Sequence, residues 1–182
     1  MKKITIFLTM ALLLFSGCAK LSVDEKNVAR VEVDKMAQTT IEKLLKDDPS
    51  IQAELDRCVG YAVVNWKVTK VPVFGAGGGN GVIVDKDNNK KFYIDVSRFD
   101  IGGGWGARSY KNLVIVFDRE VLDEAKGGDF KFEAGAEVSA GTAAAGGGSG
   151  GSEETVTHVL IDGGGSATAT VRYMNSSLSD YN

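Results

Sequence analysis

Two rhythms of apolar residues divide the chain near Gly60. Upstream, Val28, Val31, Ile41, Leu44 and Leu45 recur at roughly helical spacing, with Met36 and Ala37 between them. That spacing predicts a helix with one apolar face. Ser22-Val23-Asp24-Glu25 has the form of a capping box, in which Ser22 accepts from the backbone and Glu25 reaches back to it. The helix is expected to open there and run to about Asp47. Asp48-Pro49 should end it and start a short second helix reaching about Arg57. Asp48 would be its N-cap and Pro49 its first residue, where a missing N–H costs nothing.

Downstream the period becomes two. Tyr61-Ala62-Val63-Val64 reads as an apolar strand, and Val71 to Phe74 lead into a glycine-rich stretch, VFGAGGGNGVIVD, taken as a loop between apolar runs. Val82 to Val84 continue to a polar turn over Asp85 to Lys90. Phe92, Ile94 and Val96 then alternate with Tyr93, Asp95 and Ser97, and Phe99 and Ile101 carry the alternation to Gly102. Leu113 to Phe117 form a buried strand, and Arg119 to Lys126 a short helix stopped by Gly127-Gly128. Phe130, Phe132, Ala134, Ala136 and Val138 should point inward against Lys131, Glu133 and Glu137. Thr142 to Glu154 is so dominated by small residues that it reads as a mobile loop. Val156 to Ile161 and Ala167 to Tyr173 supply two last strands. The class is α+β, with N-terminal helices followed by a glycine-rich, mostly antiparallel sheet curled toward a barrel.

The first residues change the picture of where this domain sits. Lys2 and Lys3 precede an apolar run from Ile4 to Phe15, too short for a typical membrane span and built like a secretory signal. Ser16-Gly17-Cys18 closes it and resembles the lipobox of bacterial lipoproteins, although Phe15 stands where Leu is usual. The resemblance implies cleavage before Cys18 and acylation of its sulfur, palmitate among the attached chains. Residues 1–17 are then a signal peptide, 18–22 a lipidated tether and 23–182 a single domain. Ala19, rather than Asp, after Cys18 implies an outer-membrane anchor facing the periplasm. Residues 1–17 hold two of the 21 basic residues and none of the 24 acidic ones, so the remaining 165 residues carry a net charge of −5. A mildly acidic chain without a basic run argues against nucleic acid. Cys58, the other cysteine, lies in an apolar context and reads as a small core residue.

The motifs do not point to catalysis. A Walker loop needs lysine and a hydroxyl after its last glycine, but Val82 and Ile83 follow Gly81. Gly102-x-Gly104-x-x-Ala107 fits a loose dinucleotide fingerprint, yet a strand and not a helix is expected after it. His158 has no cluster of Cys or His to complete a zinc site and no G-x-S-x-G nucleophile to serve, so it reads as a satisfied structural residue. Asp85, Asp87 and Asn89 imitate the start of a calcium loop but lack its glycine and its final glutamate. No catalytic residue, cofactor or metal is expected. Twenty-one of the 23 glycines follow residue 74, which suits sharp bending or close backbone approach within a sheet. Gly78→Val is accordingly expected to destabilise if the backbone there has positive φ or packs closely.

Tyr61-Ala62-Val63-Val64, Val68-Thr69-Lys70, Phe74-Gly75-x-Gly77-Gly78-x-x-Gly81-Val82 and Phe92 to Arg98 together resemble the SYLF domain. The likeness continues through Gly103 to Ala107, Leu113 to Phe117 and Gly135 to Val138, covering about residues 53 to 180. It departs at Asn65-Trp66, where many members carry proline after the strand. The family binds lipid, so the resemblance implies a non-enzymatic, membrane-anchored module whose domain also contacts phospholipid. An envelope module that docks on other proteins without a lipid ligand is the alternative. Trp66 and Trp105 are candidate bilayer contacts, since tryptophan suits a membrane–water interface; the alternative is that both are core and the basic residues are scattered solvated charges. Lys67, Lys70, Arg98 and Arg108 would hold a head-group phosphate if the fold brings them together.

Overall fold

The computed structural model describes residues 21–128, 135–141, 143–147 and 154–182. Helix α1 spans Val23–Asp47, and its capping box forms as expected: the Glu25 N–H donates to Ser22 Oγ and the Ser22 N–H donates to the Glu25 carboxylate. The buried stripe is Val33, Ala37, Thr40 and Leu44, whereas Val28 and Val31 stay exposed. Helix α2 is Ile51–Arg57, two residues later than expected. The Asp48 carboxylate accepts from both the backbone N–H and the hydroxyl of Ser50, tying Asp48 to Ser50 into a turn that delays the helix.

Strands β1 (Gly60–Lys70), β2 (Phe74–Asp85) and β3 (Lys90–Val116) follow, then helix α3 (Arg119–Lys126) and strands β4 (Gly135–Gly141), β5 (Ala143–Gly147) and β6 (Thr155–Leu178). All pair antiparallel in the order β1-β2-β3-β6-β4-β5. One further pairing curls the sheet. The first half of β3 lies against β2, its second half lies against β1, and β1 and β2 pair with each other. Since every pairing is antiparallel, β3 must double back between its halves. It does so over Gly102, Gly104 and Gly106, whose φ values of 146°, 137° and 152° are ones that side-chain-bearing L-residues rarely adopt. β6 follows β3 along its whole length, and the result is a half-barrel.

Three expectations are corrected. The glycines after Phe74 lie within β2, since every residue from Phe74 to Asp85 has a partner on β3. The last two strands are one continuous strand, β6. Within the stretch read as a loop, Ala143–Gly147 form β5 on the edge of β4. The inward set at Phe130, Phe132 and Ala134 lies outside the described residues.

A core fills each face of the curled sheet. On the concave side Ala62, Val64, Trp66 and Val68 of β1 meet Ile83, Ile94, Val96, Tyr110 and Val114, closed by Leu122 of α3. On the convex side α1 and α2 cover Val63, Val82, Tyr93, Leu113 and Ile115 through Val33, Ala37, Leu44 and Ile51. The glycine of β2 that matters most is Gly79, paired with Trp66. A Cβ there would lie 1.7 Å from the Asn65 carbonyl oxygen, so the backbones approach as no other residue allows. Gly78 meets neither condition set for its valine variant: its φ is not positive, and an added Cβ would meet only the Val96 carbonyl oxygen, at 3.4 Å.

Asp85 closes the other end of β2. Read as a turn residue, it is buried and accepts from Arg119 at 2.7 and 2.8 Å, from Lys126 at 2.7 Å and from Asn88. The Arg119 guanidinium holds its carboxyl well below the usual range, against the opposing effect of burial. The β2–β3 turn and α3 are thereby locked together.

Candidate functional site

Among the described residues, the helices pack on Val63, Val82, Tyr93, Leu113 and Ile115, and none covers the convex face at the end of the sheet away from Asp85. The β1–β2 connection brings Val71, Val73 and Phe74 there, and the doubled-back strand β3 adds Phe99, Ile101 and Trp105. Register and hydrogen bonds bring the first five together, with Phe74 opposite Ile101, Ala76 opposite Phe99, the Gly102 N–H donating to the Val73 carbonyl at 3.0 Å and the Val71 N–H to the Phe74 carbonyl at 2.9 Å, while Trp105 follows four residues after Ile101 on the same strand. The Phe74 and Phe99 rings touch at 6.2 Å between centroids. These six residues are all large, apolar and exposed, Trp105 most of all at 68%. A cluster of exposed apolar residues of this kind is uncommon on a soluble surface and marks contact with a partner or a membrane.

Behind the patch, the alternate residues of the same strands form a charged interior. Lys70, Arg98 and Asp100 are buried, although each is charged or ionisable. Arg98 donates twice to the Asp100 carboxylate, at 2.7 and 2.8 Å, and once to the Tyr110 hydroxyl at 2.6 Å. Such a two-pronged guanidinium–carboxylate pair fixes both partners. The Arg108 guanidinium lies 5.2 Å from the centre of the Tyr110 ring, whose other neighbour is the stacked Trp66 at 6.3 Å. Burial pushes the Tyr110 hydroxyl up and the Lys70 ammonium down from their ordinary ranges.

The structure thus divides the residues expected at the site. Lys70, Arg98 and Arg108 converge on the concave side, joined by Asp100 and Tyr110. Lys67 is exposed on the opposite face of β1 and does not join them. Trp66 is 1% exposed within the core, so the interface role expected of both tryptophans is open to Trp105 alone. Cys18 lies outside the described residues. Cys58 is buried with its thiol against the Leu55 carbonyl, and burial raises its pKa. His158 contacts the Glu54 carboxylate at 2.6 Å.

Sequence reasoning missed Asp100, Tyr110, Phe74, Phe99 and Ile101 as site residues. A signal for some of them was present. The aliphatic and phenylalanine residues in the first half of β3 fall on even positions from Phe92 to Val96 and on odd positions at Phe99 and Ile101. A strand keeps its two faces, so that switch puts Arg98 and Asp100 inside and Phe99 and Ile101 outside.

No family model matches the chain. A search of curated proteins finds a relative 26% identical over 95 residues, "Beta cell expansion factor A" of Aeromonas veronii, the match covering 52% of this chain and 36% of that protein. The chain thus spans about a third of the length of the curated relative it matches.

Proposed function

We propose that this chain is a non-enzymatic lipoprotein of the bacterial envelope whose domain binds phospholipid and contacts the bilayer through its uncovered end. The observation that carries this reading is the exposed cluster of Phe74, Phe99, Ile101 and Trp105 beside Val71 and Val73. Aromatic rings at a membrane–water interface bury their apolar bodies while the tryptophan N–H remains wet. The resemblance to the SYLF family and the lipobox-like Ser16-Gly17-Cys18 support the same reading. The acyl chains on Cys18 would hold the domain at an outer membrane facing the periplasm, and its apolar end would engage the lipid. Net charge supplies no general attraction to anionic membranes, so contact is local and chiefly apolar.

Cosedimentation with phosphatidylcholine vesicles tests this, comparing residues 22–182, which lack both the apolar signal segment and the acyl anchor, with the same residues carrying Trp105→Ser. The first should bind, with little dependence on salt, because insertion is not screened. The second should bind more weakly. Failure of the unacylated protein to bind, with no lipid copurifying, would favour an envelope module that docks on protein instead.

A further inference from the structure

The first stretch of β6 borders the sheet's edge. Residues Val156–Ile161 pair with β3 on one side, from Val156 opposite Ile115 to Ile161 opposite Tyr110. β4 lies against β6 only along Ser166–Arg172, so among the described residues no strand borders the other side of Val156–Ile161. Backbone N–H and C=O groups along such an edge are a template for a further strand, which natural edges blunt with lysine, proline or a bulge. Val156–Ile161 has none of these. It reads Val-Thr-His-Val-Leu-Ile, with four β-branched residues and no Asp, Glu, Lys or Arg. Val159 and Ile161 are 51% and 38% exposed. The blunting begins one residue later: Asp162 drops out of the register with β3, its carboxylate accepts from Lys111, and Gly164 has a φ of 90°.

We infer that this edge pairs with the same edge of a second copy of the chain, antiparallel about a two-fold axis at His158, so that the sheet continues across two molecules. Such an axis sets each residue against the one equidistant from His158: Val156 meets Leu160, Thr157 meets Val159, and His158 meets its own counterpart. Side chains alternate across a strand, so each pair stays on one face. Thr157 and Val159 share the concave face, and Val156 and Leu160 share the convex one. β-Branched residues set against apolar ones are favourable cross-strand pairs. Charge favours a second copy over a foreign acidic or basic strand. The run has no formal charge to attract one, and the His158 ring is matched within its own chain by the Glu54 carboxylate at 2.6 Å. The residues assigned to bilayer contact lie on the β1–β2 connection and β3, so this seam does not depend on that reading.

Sedimentation equilibrium of residues 22–182, which hold every helix and strand described above, reads the association. A seam of one short strand from each copy is small, so the protein is followed up to about millimolar concentration, where a weak contact is still populated. A monomer–dimer equilibrium is expected. Val159→Lys, at an exposed position that enters the seam twice, should raise its Kd about tenfold or more, since an edge lysine blocks strand addition. Val28→Lys, at an exposed position on α1, should leave Kd unchanged. Disulfide formation then tests the register. In His158→Cys the two thiols face one another with Cα atoms about 5 Å apart, within disulfide reach. In Val156→Cys they stand about 13 Å apart along the seam, beyond that reach. The first should give a covalent dimer on a non-reducing gel and the second should not, with Cys58 buried in both. If His158→Cys does not fold, an equal mixture of Thr157→Cys and Val159→Cys chains tests the same register. A dimer untouched by Val159→Lys, or cross-linking at residue 156 as readily as at 158, would overturn the seam. A monomer at every concentration would overturn it too, and would leave the edge to a strand of another protein.

Discussion

Adding a single methyl group at Gly79 should unfasten the sheet, and adding it next door at Gly78 should not. The Cβ of Gly79→Ala would sit 1.7 Å from the Asn65 carbonyl oxygen and 2.8 Å from its carbon, both backbone atoms that no rotamer change can move. Reaching ordinary contact requires β1 and β2 to separate locally by more than an ångström, which takes the neighbouring interstrand hydrogen bonds beyond their range. Overpacking of this kind costs about 1–3 kcal/mol, and each ladder bond lost adds about 1 kcal/mol. The alanine returns about 0.4–1 kcal/mol by restricting the unfolded chain. The net is a destabilisation of about 3 kcal/mol, or about 6–12 °C in Tm for a chain of this size. Gly78→Ala meets nothing closer than 3.4 Å and should match the wild type or exceed it by about 0.5 kcal/mol. Urea and thermal unfolding of both variants measure the contrast. Gly79→Ala as stable as wild type, or Gly78→Ala equally damaged, would refute the claim that close backbone approach is what the glycine provides.

Cys18→Ser should lose incorporation of a fatty-acid probe, whereas Cys58→Ser, a change at a buried thiol, should keep it; gel fluorescence of labelled cells reads both. Asp85 should shape the acid limb of the stability curve. Its carboxyl is held low in the folded state, so between its folded pKa and the unfolded value of about 3.9 the unfolded chain binds the extra proton. Its contribution is therefore complete above about pH 5 and is lost as pH falls through the acid range. Asp85→Asn should be less stable at neutral pH and show a flatter decline below it in urea titrations at stepped pH. An acid limb as steep as that of the wild type would remove Asp85 from that role.

Local rules carried the helices and the strand periods. The capping box at Ser22 and the short helix over Arg119–Lys126 stand where side-chain chemistry puts them, because caps and turn residues act within a few positions. The curl of the sheet was foreshadowed by glycine but not located by it. Strands expected to end at Gly102 run on to Val116, because the glycines there admit a bend without breaking the ladder. The charged interior was half legible. Lys70, Arg98 and Arg108 stood out as cations, yet their convergence depends on a pairing between β1 and the far half of β3 that no local pattern encodes. That Lys67 stands apart from the other cations and Trp66 lies in the core was not legible for the same reason: which face of β1 looks inward is decided by that pairing. Asp85 looked like turn polarity because both its cationic partners come from α3, more than thirty residues away.

The two tryptophans allow the central claim to be measured directly. Trp66 is enclosed and Trp105 is exposed, so Trp66→Phe leaves a single reporter on the apolar end, and residues 22–182 alone carry neither signal segment nor acyl anchor. With bilayer contact through that end, adding phosphatidylcholine vesicles should shift the Trp105 emission to the blue, and lipids brominated along their acyl chains should quench it. Emission that neither shifts nor is quenched, with the protein folded and vesicles in excess, would contradict the account.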